Sequence, residues 1–341
     1  PSEIQFNNSQ TSADLLGASG EVFIQKSQLG GGSPMIRGFS ANRILIVVDG
    51  VRMNNAIFRS GNLQNVISID PNMIELTEVI MGPGSVMYGS DALGGVMNFH
   101  TNQPKLSFTE DSVVSSSAAM VRYATANQER TIHANTNIGG NKIAAVLGIT
   151  VSRFGNLRSG RIRKNGYEGF GERNWYQTQL NNQDTFLSNP DKNDQRQSGY
   201  DQLNLTGKLR YQPSQNINLV YTAQYANTSD LPRYDRLKEE KANTPRYSEW
   251  YYGPQLWFNT NLAANFDIKN DAWDRVRMII GYQKFKESRN DRRYKSNNLR
   301  SRFEEVDAYN LNLDFDKKLN KKHTLFYGIE GVYNHITSTG K

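Results

Sequence analysis

A long polar segment, residues 154–198, carries basic and aromatic side chains close together. The basic residues are Arg158, Arg161, Arg163 and Lys164, and the aromatic residues are Tyr167, Phe170, Trp175 and Tyr176. Guanidinium groups pair with anions and aromatic rings stack on flat molecules, so this combination suits a flat anionic ligand or a protein surface. Contact with anionic sugars at a membrane surface and an ordinary solvated loop are the alternatives. The candidate ligand contacts here are Arg161, Arg163, Trp175 and Tyr176.

Other chemistry-bearing residues do not form a catalytic pattern. The sequence has no His-Glu-x-x-His, no Gly-x-Ser-x-Gly and no Walker lysine. Its four histidines, His100, His133, His323 and His335, are too scattered for a metal site by spacing. The absence of cysteine removes disulfides and thiolate chemistry. We therefore predict that the protein is not an enzyme and holds no metal or cofactor.

The block of residues 34–101 contains the strongest local structure signals of the chain, and the neighbouring elements are assigned relative to it. Residues 44–48 are apolar and β-branched, Asp49-Gly50 follows, and a second short run begins at Val51, which predicts a strand, a tight turn and a return strand. Gly82-Pro83-Gly84 predicts a sharp turn. A short helix after Thr11, strands at 21–28 and 35–39, and a last strand at 95–101 complete a small mixed α/β domain, which we bound at residues 1–104.

Four motifs occur in order within this block. They are I-R-G-F at 36–39, V-V-D-G-V-R at 47–52, G-P-G-S-x-x-Y-G at 82–89 and A-L-G-G-V-M-N at 92–98. The block resembles the plug domain of TonB-dependent outer-membrane receptors. Leu76 and Met81 depart from the family, which often has arginine at both positions. The turn at 82–84 also differs from the Asp-, Ala- and Ser-rich turn of the variant that pairs with a surface lipoprotein, so that partner ranks lower.

The resemblance implies a function in transport. We expect active import of a scarce nutrient across the outer membrane of Gram-negative bacteria, energised by the TonB complex. The expected ligand is an iron complex, such as haem, haem taken from a haemoprotein, or a ferric siderophore. A glycan or cobalamin importer of the same fold ranks lower. By the same resemblance Phe58 and Arg59 lie in a loop that rises toward the ligand.

Three further residues are candidates for specific roles. In its predicted strand, His133 lies on the same face as the polar residue Asn135, which predicts a solvated histidine that faces the lumen. A haem-ligand role is the alternative. Arg37 and Glu78 lie in stretches that look buried, and removing one partner of a buried ion pair costs about 3 to 5 kcal/mol. The resemblance implies that both form plug-to-barrel ion pairs across a polar, wet interface, and pairing within the plug surface is the alternative.

After Pro104 the sequence alternates with a period of two. In residues 203–211 the apolar positions are Leu203, Leu205, Leu209 and Tyr211, and the intervening positions are polar; residues 256–266 and 309–315 repeat the pattern. Tight connections at 139–142, 212–216, 269–272 and 320–322 alternate with long polar ones at 154–198, 229–249 and 288–302, as in outer-membrane barrels. Aromatic residues near strand ends, at Tyr200, Trp250, Tyr251, Tyr252, Trp273 and Tyr333, predict interfacial girdles.

We therefore predict that residues 105–341 are antiparallel transmembrane β-barrel strands that follow the plug. About nine strands are recognisable, whereas plugged transporters of this kind use about 22, so we expect an N-terminal portion of a longer polypeptide.

Composition is consistent with this reading. No run of 18 apolar residues occurs, which excludes a transmembrane helix, and the mean hydropathy is −0.66. The net charge of +7 would fit nucleic acid or an anionic membrane surface. We expect no nucleic acid partner, and contact with outer-membrane lipid and lipopolysaccharide. The rival readings are a passive porin or adhesin barrel and a soluble secreted β-enzyme with an α/β cap.

Overall fold

A computed structural model describes residues 6–40, 43–53, 66–82, 84, 88–109, 112–164 and 166–341. The N-terminal region, through Thr101, contains helix α1 (Ser12–Ala18) and the short strands β1 (Phe23–Gln25), β2 (Ser33–Ile36), β3 (Phe39–Ser40), β4 (Ile44–Val48), β5 (Val51–Arg52), β6 (Ile74–Met81) and β7 (Gly95–Thr101). None of the helices among the described residues is long and apolar enough to cross a membrane.

The rest of the described chain is almost entirely strands. In chain order they are β8 (Val114–Ala124), β9 (Glu129–Gly139), β10 (Ile143–Phe154), β11 (Leu157–Arg158), β12 (Trp175–Leu180), β13 (Gln183–Ser188), β14 (Asp194–Gln195), β15 (Tyr200–Ser214), β16 (Ile217–Thr228), β17 (Leu231–Pro232), helix α2 (Tyr234–Leu237), β18 (Glu240–Lys241), β19 (Thr244–Pro245), β20 (Tyr247–Tyr252), β21 (Leu256–Phe266), β22 (Arg275–Arg293), β23 (Leu299–Lys318) and β24 (Thr324–Gly340).

Helix α1 begins where the sequence predicted a cap. The Thr11 hydroxyl accepts from the Asp14 main-chain N–H, and the Asp14 carboxylate accepts from the Thr11 N–H, which forms a capping box. Leu16 is buried on the inner face of the helix.

The hairpin at Asp49-Gly50 is confirmed. Strand β4 pairs antiparallel with β5 and parallel with β7, and β6 completes a four-stranded sheet. Asp49 and Gly50 have φ of 52° and 87°, the left-handed values that a tight two-residue turn requires. The predicted strand at 35–39 is wrong in one respect: Arg37 and Gly38 also have positive φ and turn the chain between β2 and β3.

Nine long strands form one antiparallel sheet, here called the wall, in the order β8, β9, β10, β15, β16, β21, β22, β23 and β24. Strands β8 and β24 are its two edges, and no pairing joins them within the part of the chain that the structure describes. The number of strands agrees with the sequence prediction, and the sheet is open.

The wall turns apolar residues outward and polar residues inward. On β15, Leu205 and Leu209 are 39% and 49% exposed, whereas Asn204 and Lys208 are buried at 5% and 3%. Strand β23 follows the same rule, with Leu311 at 40% and Asn310 at 6%. This is the pattern of a membrane barrel and the reverse of a soluble sandwich, so the predicted parity is confirmed.

The connections match the prediction except at β22 and β23. One end of the wall has short turns, and the other has two long excursions, loop A (residues 155–199) and loop B (residues 229–255). The loop predicted at 288–302 is wrong, because β22 and β23 continue as a paired ribbon from Arg289↔Arg302 to Arg292↔Leu299. Cross-strand pairing satisfies the main-chain groups there, which a polar sequence does not prevent.

Part of the predicted aromatic girdle is also wrong. Tyr200 and Tyr252 are each only 4% exposed and pack in the interior core. Tyr333 is 64% exposed and fits an outward girdle position. Parity sets the inward direction of Tyr200, since it shares the face of the polar residues Gln202 and Asn204 on the same strand.

Candidate functional site

The N-terminal region lies against the inward face of the wall, and much of this interface is polar. The wall residues Gln202, Asn204 and Gln283 donate side-chain amide protons to the main-chain carbonyls of Ile67 (2.7 Å), Ser68 (3.0 Å) and Arg52 (2.7 Å). Such hydrogen bonds contribute about 1 kcal/mol each when water is the competitor. Water can therefore replace these hydrogen bonds at a modest cost in free energy.

One buried ion pair joins the hairpin of the N-terminal region to the middle of the wall. The Lys208 ammonium, with no exposed side-chain surface, lies 3.0 Å from an oxygen of Asp49. It also donates to the Thr101 carbonyl over 3.0 Å, while the Thr101 N–H and hydroxyl donate to the two Asp49 oxygens. One lysine thus ties together the ends of β4 and β7, the two parallel strands of the central sheet.

A second polar connection is a chain of hydrogen bonds. The Thr150 hydroxyl donates to Asp70 (2.6 Å) and therefore accepts from His133 Nδ1 (2.7 Å), whose Nε2 accepts from the Asn135 amide (2.8 Å). These directions require a neutral His133 with its proton on Nδ1. Burial raises the pKa of the Asp70 carboxyl. The Asp70 carboxylate also accepts from the Asn72 main-chain N–H and so caps the turn that follows it.

The segment before α1 is held by a second charged group of the wall. Arg122 binds the fully buried Glu129 at 2.7 Å and donates to the main-chain carbonyl of Ser9 at 3.1 Å. The Gln10 side-chain amide donates to the other Glu129 oxygen (2.6 Å) and exchanges hydrogen bonds with Asn127. The start of the N-terminal region is therefore fastened to the turn between β8 and β9.

A third ion pair reaches β24. Arg52 binds Glu330 at 2.9 Å, and it also binds Asp91 at 2.8 Å and the Tyr88 carbonyl at 2.7 Å. Burial opposes the charged guanidinium, but the contacts with Glu330 and Asp91 outweigh it and raise the pKa of Arg52. The Arg52–Glu330 and Lys208–Asp49 pairs thus connect the N-terminal region to the wall, and sequence reasoning missed both.

The interface is not polar throughout. Near the loop end of the wall, Phe154, Tyr200 and Trp257 are 3–4% exposed and belong to one core with Leu16 and Ile67 of the N-terminal region. Phe154 and Tyr200 stack with ring centroids 4.6 Å apart. The expected polar interface therefore holds for the contacts described above and not at this end of the wall, where the N-terminal region covers inward aromatic residues.

Loops A and B form one packed layer above this core. Arg173 of loop A is 3% exposed and donates to four oxygens, those of the Trp175 and Arg196 carbonyls and of the Gln177 and Gln197 side chains. Burial lowers its pKa to about 10, so it stays charged at neutral pH. Gln177 in turn donates to the main-chain carbonyls of Leu237 and Tyr247 in loop B.

Asp184, near the start of β13, fastens this layer to the wall. Arg292 donates to both of its carboxylate oxygens (2.7 and 2.9 Å), and the Ser248 hydroxyl (2.6 Å) and the Lys295 N–H (2.8 Å) donate as well. Although burial acts in the opposite direction, these donors hold the pKa of Asp184 well below its usual range. This cluster is the second feature that the sequence did not reveal.

A cavity of about 500 Å³ lies between the N-terminal region and the two loops. Its lower side consists of residues 7–10, part of α1 and residues 26–29, and its upper side includes Leu157, Gln195, Ser198 and Tyr234. The volume is in the range of small-molecule sites. Among the described residues no group of three His, Asp or Glu side chains is placed to hold a metal ion.

The predicted contacts of loop A each have a different partner. Arg161 is 74% exposed and approaches Asp191 at 3.8 Å, whereas Arg163 is 15% exposed and binds Glu172, the Phe170 carbonyl and Asn193. The Trp175 indole N–H donates to Glu240 (2.5 Å). The Tyr176 ring lies 4.3 Å below the Arg196 guanidinium. Their role as ligand contacts stays a prediction, and Phe58 and Arg59 lie outside the described residues.

The other predicted site residues differ from their expected surroundings. His133 is inward as predicted, but it is 4% exposed beneath the N-terminal region, so a solvated lumen histidine is wrong. The expected burial of Arg37 and Glu78 is also wrong, since both are exposed. Glu78 accepts from His100 (3.0 Å) and Asn98 within the N-terminal region. The plug-to-barrel ion pairs of Arg37 and Glu78 stay predictions.

Comparison with known proteins gives one family match. Residues 1–96 match the family model of the TonB-dependent Receptor Plug Domain. Over 96 residues the chain is 47% identical to a relative from Vibrio vulnificus (strain CMCP6) described as Vitamin B12 transporter BtuB, a match that covers 27% of this chain and 15% of the relative.

Two solved structures share the fold of nearly the whole chain. The Copper transporter OprC aligns with a TM-score of 0.72 at 14% identity, over 97% of this chain and 45% of that one. The FrpB iron transporter from Neisseria meningitidis (F3-3 variant) aligns with a TM-score of 0.69 at 14% identity, over 98% and 48%. This chain therefore spans less than half the length of these structures.

Proposed function

We propose that this chain is part of a TonB-dependent receptor, as the match of residues 1–96 to the plug domain of that family supports, and that it imports a scarce nutrient across the outer membrane of Gram-negative bacteria. The ligand binds beneath loops A and B, the N-terminal region blocks free diffusion, and a pull transmitted through the TonB complex opens a path. In this proposal residues 1–104 are the plug and residues 105–341 are the N-terminal part of the barrel.

One observation carries the proposal: the N-terminal region covers the inward face of a wall whose apolar residues point outward. A passive porin or adhesin would have no need of such a domain bonded to Lys208, Thr150 and Arg122 of the wall. The polar bonds of this interface are the kind that water replaces at little net cost, so a plug held by them can be displaced and can return. The apolar patch at the loop end resists this movement and helps to keep the resting state closed.

The first candidate ligand is an iron complex, a haem or a ferric siderophore, which the fold shared with an iron transporter supports. The second is cobalamin, which the 47% identity of the plug to a vitamin B12 transporter supports. Binding of haem, haemoglobin, ferric siderophores and cobalamin to the full-length protein in detergent separates the two. Saturable binding of cobalamin alone would exclude the iron complex and leave the transport function in place.

A reversible tether tests the transport function itself. A Cβ placed on Gly148 of the wall lies 3.2 Å from Met73 Cγ in the plug. In a Met73→Cys variant the sulfur atom takes about the place of that Cγ. It then lies at a distance from the Cβ of a cysteine at position 148 that suits a disulfide. Residues 1–341 contain no cysteine, so within them Met73→Cys with Gly148→Cys can form a single defined bond.

The expected result is that the oxidised double variant still binds ligand but no longer takes it up, and that a reductant restores uptake. The Met73→Cys single variant, treated in the same way, should transport throughout. Uptake by a fully oxidised double variant would contradict a mechanism in which the plug moves away from β10.

A further inference from the structure

The cavity below loops A and B has an uncharged chemical character, and from it we infer the class of ligand. We propose that this cavity takes a ligand that carries no net charge and presents many hydrogen-bonding groups, such as amides and hydroxyls. The inference rests on the proposed function, since it assigns the chemistry of the nutrient that the receptor imports.

The charges that line the cavity cancel each other. Its charged lining residues among those described are Lys26 and Asp14, which form an ion pair with each other. Burying a polyanion without matching positive groups is unfavourable, and sites for carboxylates and phosphates are usually built from several guanidinium or ammonium groups. The described lining has no such cluster, so a multiply charged anion would find there one lysine that is already neutralised.

Two cations beside the cavity are also engaged, and a third, Lys238, lies 5.8 Å from the centre of the Tyr234 ring without lining the cavity. Arg173 lies behind the Tyr234 ring, 5.1 Å from its centre, and its N–H groups already donate to four loop oxygens. Arg122, beyond the segment that forms the lower side, is paired with the buried Glu129. Neither guanidinium presents free donors to the cavity.

Uncharged polar groups make up most of the lining. Five carboxamides and four hydroxyls contribute, from Asn7, Asn8, Gln10, Gln28 and Gln195 and from Ser9, Ser27, Ser198 and Tyr234. No described residue hydrogen-bonds to the Tyr234 hydroxyl or the Asn7 carboxamide, so both can serve a ligand. A carboxamide both donates and accepts, which matches ligand amides and hydroxyls in either orientation. Leu29 and Leu157 add apolar surface for the body of the ligand.

Two kinds of nutrient share this chemistry: an uncharged ferric trihydroxamate and a corrinoid that carries carboxamide side chains. A ferric tris-catecholate, with three negative charges, does not. The test compares ferrichrome, cyanocobalamin and ferric enterobactin as probes of these three kinds. Their affinities for the full-length protein in detergent are measured at low and high salt, together with TonB-dependent uptake of each probe by cells.

The Tyr234→Phe variant removes one unpaired hydroxyl without changing the ring. The matched control is Tyr167→Phe, because Tyr167 is 59% exposed at the tip of loop A and does not line the cavity. We expect one uncharged probe to bind at least about tenfold more tightly than ferric enterobactin, with little effect of salt. Tyr234→Phe should weaken that binding by about three- to tenfold, the loss of one hydrogen bond, and Tyr167→Phe should not.

Each other outcome has a distinct meaning. Tighter binding of ferric enterobactin with strong salt dependence, or an uncharged probe indifferent to Tyr234→Phe, overturns the inference. If ferric enterobactin is then taken up in a TonB-dependent manner, the proposed function stands. Binding of an uncharged probe without TonB-dependent uptake supports the ligand class and contradicts the proposed function. Failure of all three probes to bind contradicts both.

Discussion

The Thr150 hydroxyl of the wall donates to the Asp70 carboxylate of the plug over 2.6 Å, in a place where Asp70 is 7% and Thr150 is 3% exposed. Thr150→Val keeps the shape of the side chain and removes the donor. An Asp70 oxygen then loses its partner in the interior, and we expect a loss of about 1 to 3 kcal/mol of unfolding free energy. Thr150→Ser keeps the hydroxyl and should lose less than half of that. Denaturant unfolding in detergent measures both; equal losses would show that packing, not the hydrogen bond, is responsible.

The Lys208–Asp49 pair should be the most costly plug-to-wall contact to break. Lys208→Met leaves the Asp49 carboxylate buried at 6% side-chain exposure without its cation, and we expect about 3 to 5 kcal/mol of destabilisation. Adding Asp49→Asn removes the uncompensated charge, and asparagine tolerates the positive φ of this position. The double variant should therefore recover much of the loss. A double variant as unstable as Lys208→Met would contradict the ion-pair account.

The Arg52–Glu330 pair should behave differently because it is more exposed. The Glu330 side chain is 36% exposed, and Arg52 keeps Asp91 and the Tyr88 carbonyl when Glu330 is changed. We expect Glu330→Gln to cost less than about 1 kcal/mol, the usual range of partly solvated pairs. The measurement is the same unfolding experiment, with Lys208→Met as the reference for a buried pair. A loss as large as that of the reference would mean that this contact is shielded from water.

Loosening of loop A should depend on pH through Asp184. Its carboxylate has a pKa held below the ordinary value by its donors, Arg292 above all. A group with a depressed folded pKa stabilises the fold above its unfolded pKa, about 3.9, and loses this contribution as pH falls toward the folded value. We expect the hydrogen-exchange protection of the β12–β13 hairpin, relative to the intrinsic rate at each pH, to fall as the pH falls below about 4. Asp184→Asn should exchange rapidly at neutral pH and show a smaller pH effect.

The two predicted arginine contacts of loop A should separate by experiment. Arg161 is 74% exposed with one distant partner, so Arg161→Ala should change loop stability by less than about 0.5 kcal/mol. Any loss of ligand affinity in this variant would then report a direct contact. Arg163 holds Phe170 and Asn193 in place, so Arg163→Ala should loosen the loop, as measured by limited proteolysis. Equal proteolysis of the two variants would contradict this division.

Periodicity predicted the wall well because it depends on local chemistry. A strand that faces hydrocarbon on one side must alternate, and Leu205, Leu209 and Leu311 can be assigned to the outward face from their neighbours alone. The hairpin at Asp49-Gly50 was predictable for the same reason, since few residue pairs accept positive φ at both positions. The ribbon formed by Arg289 and Arg302 was not predictable, because a polar sequence is equally compatible with a loop and with a strand that extends beyond the membrane.

The sequence alone determined the plug motifs, the inward and outward faces of the strands, and the polar character of the loops, all of which depend on residues close together in the chain. Only the tertiary structure decided which charges meet. Many strands separate Lys208 from Asp49 in the sequence, and the same is true of Asp184 and Arg292. Nothing in the local sequence distinguishes these four charged residues from the exposed Arg37 and Glu78. Burial and pairing of a charge depend on what folds over it, and this is a property of the packed chain.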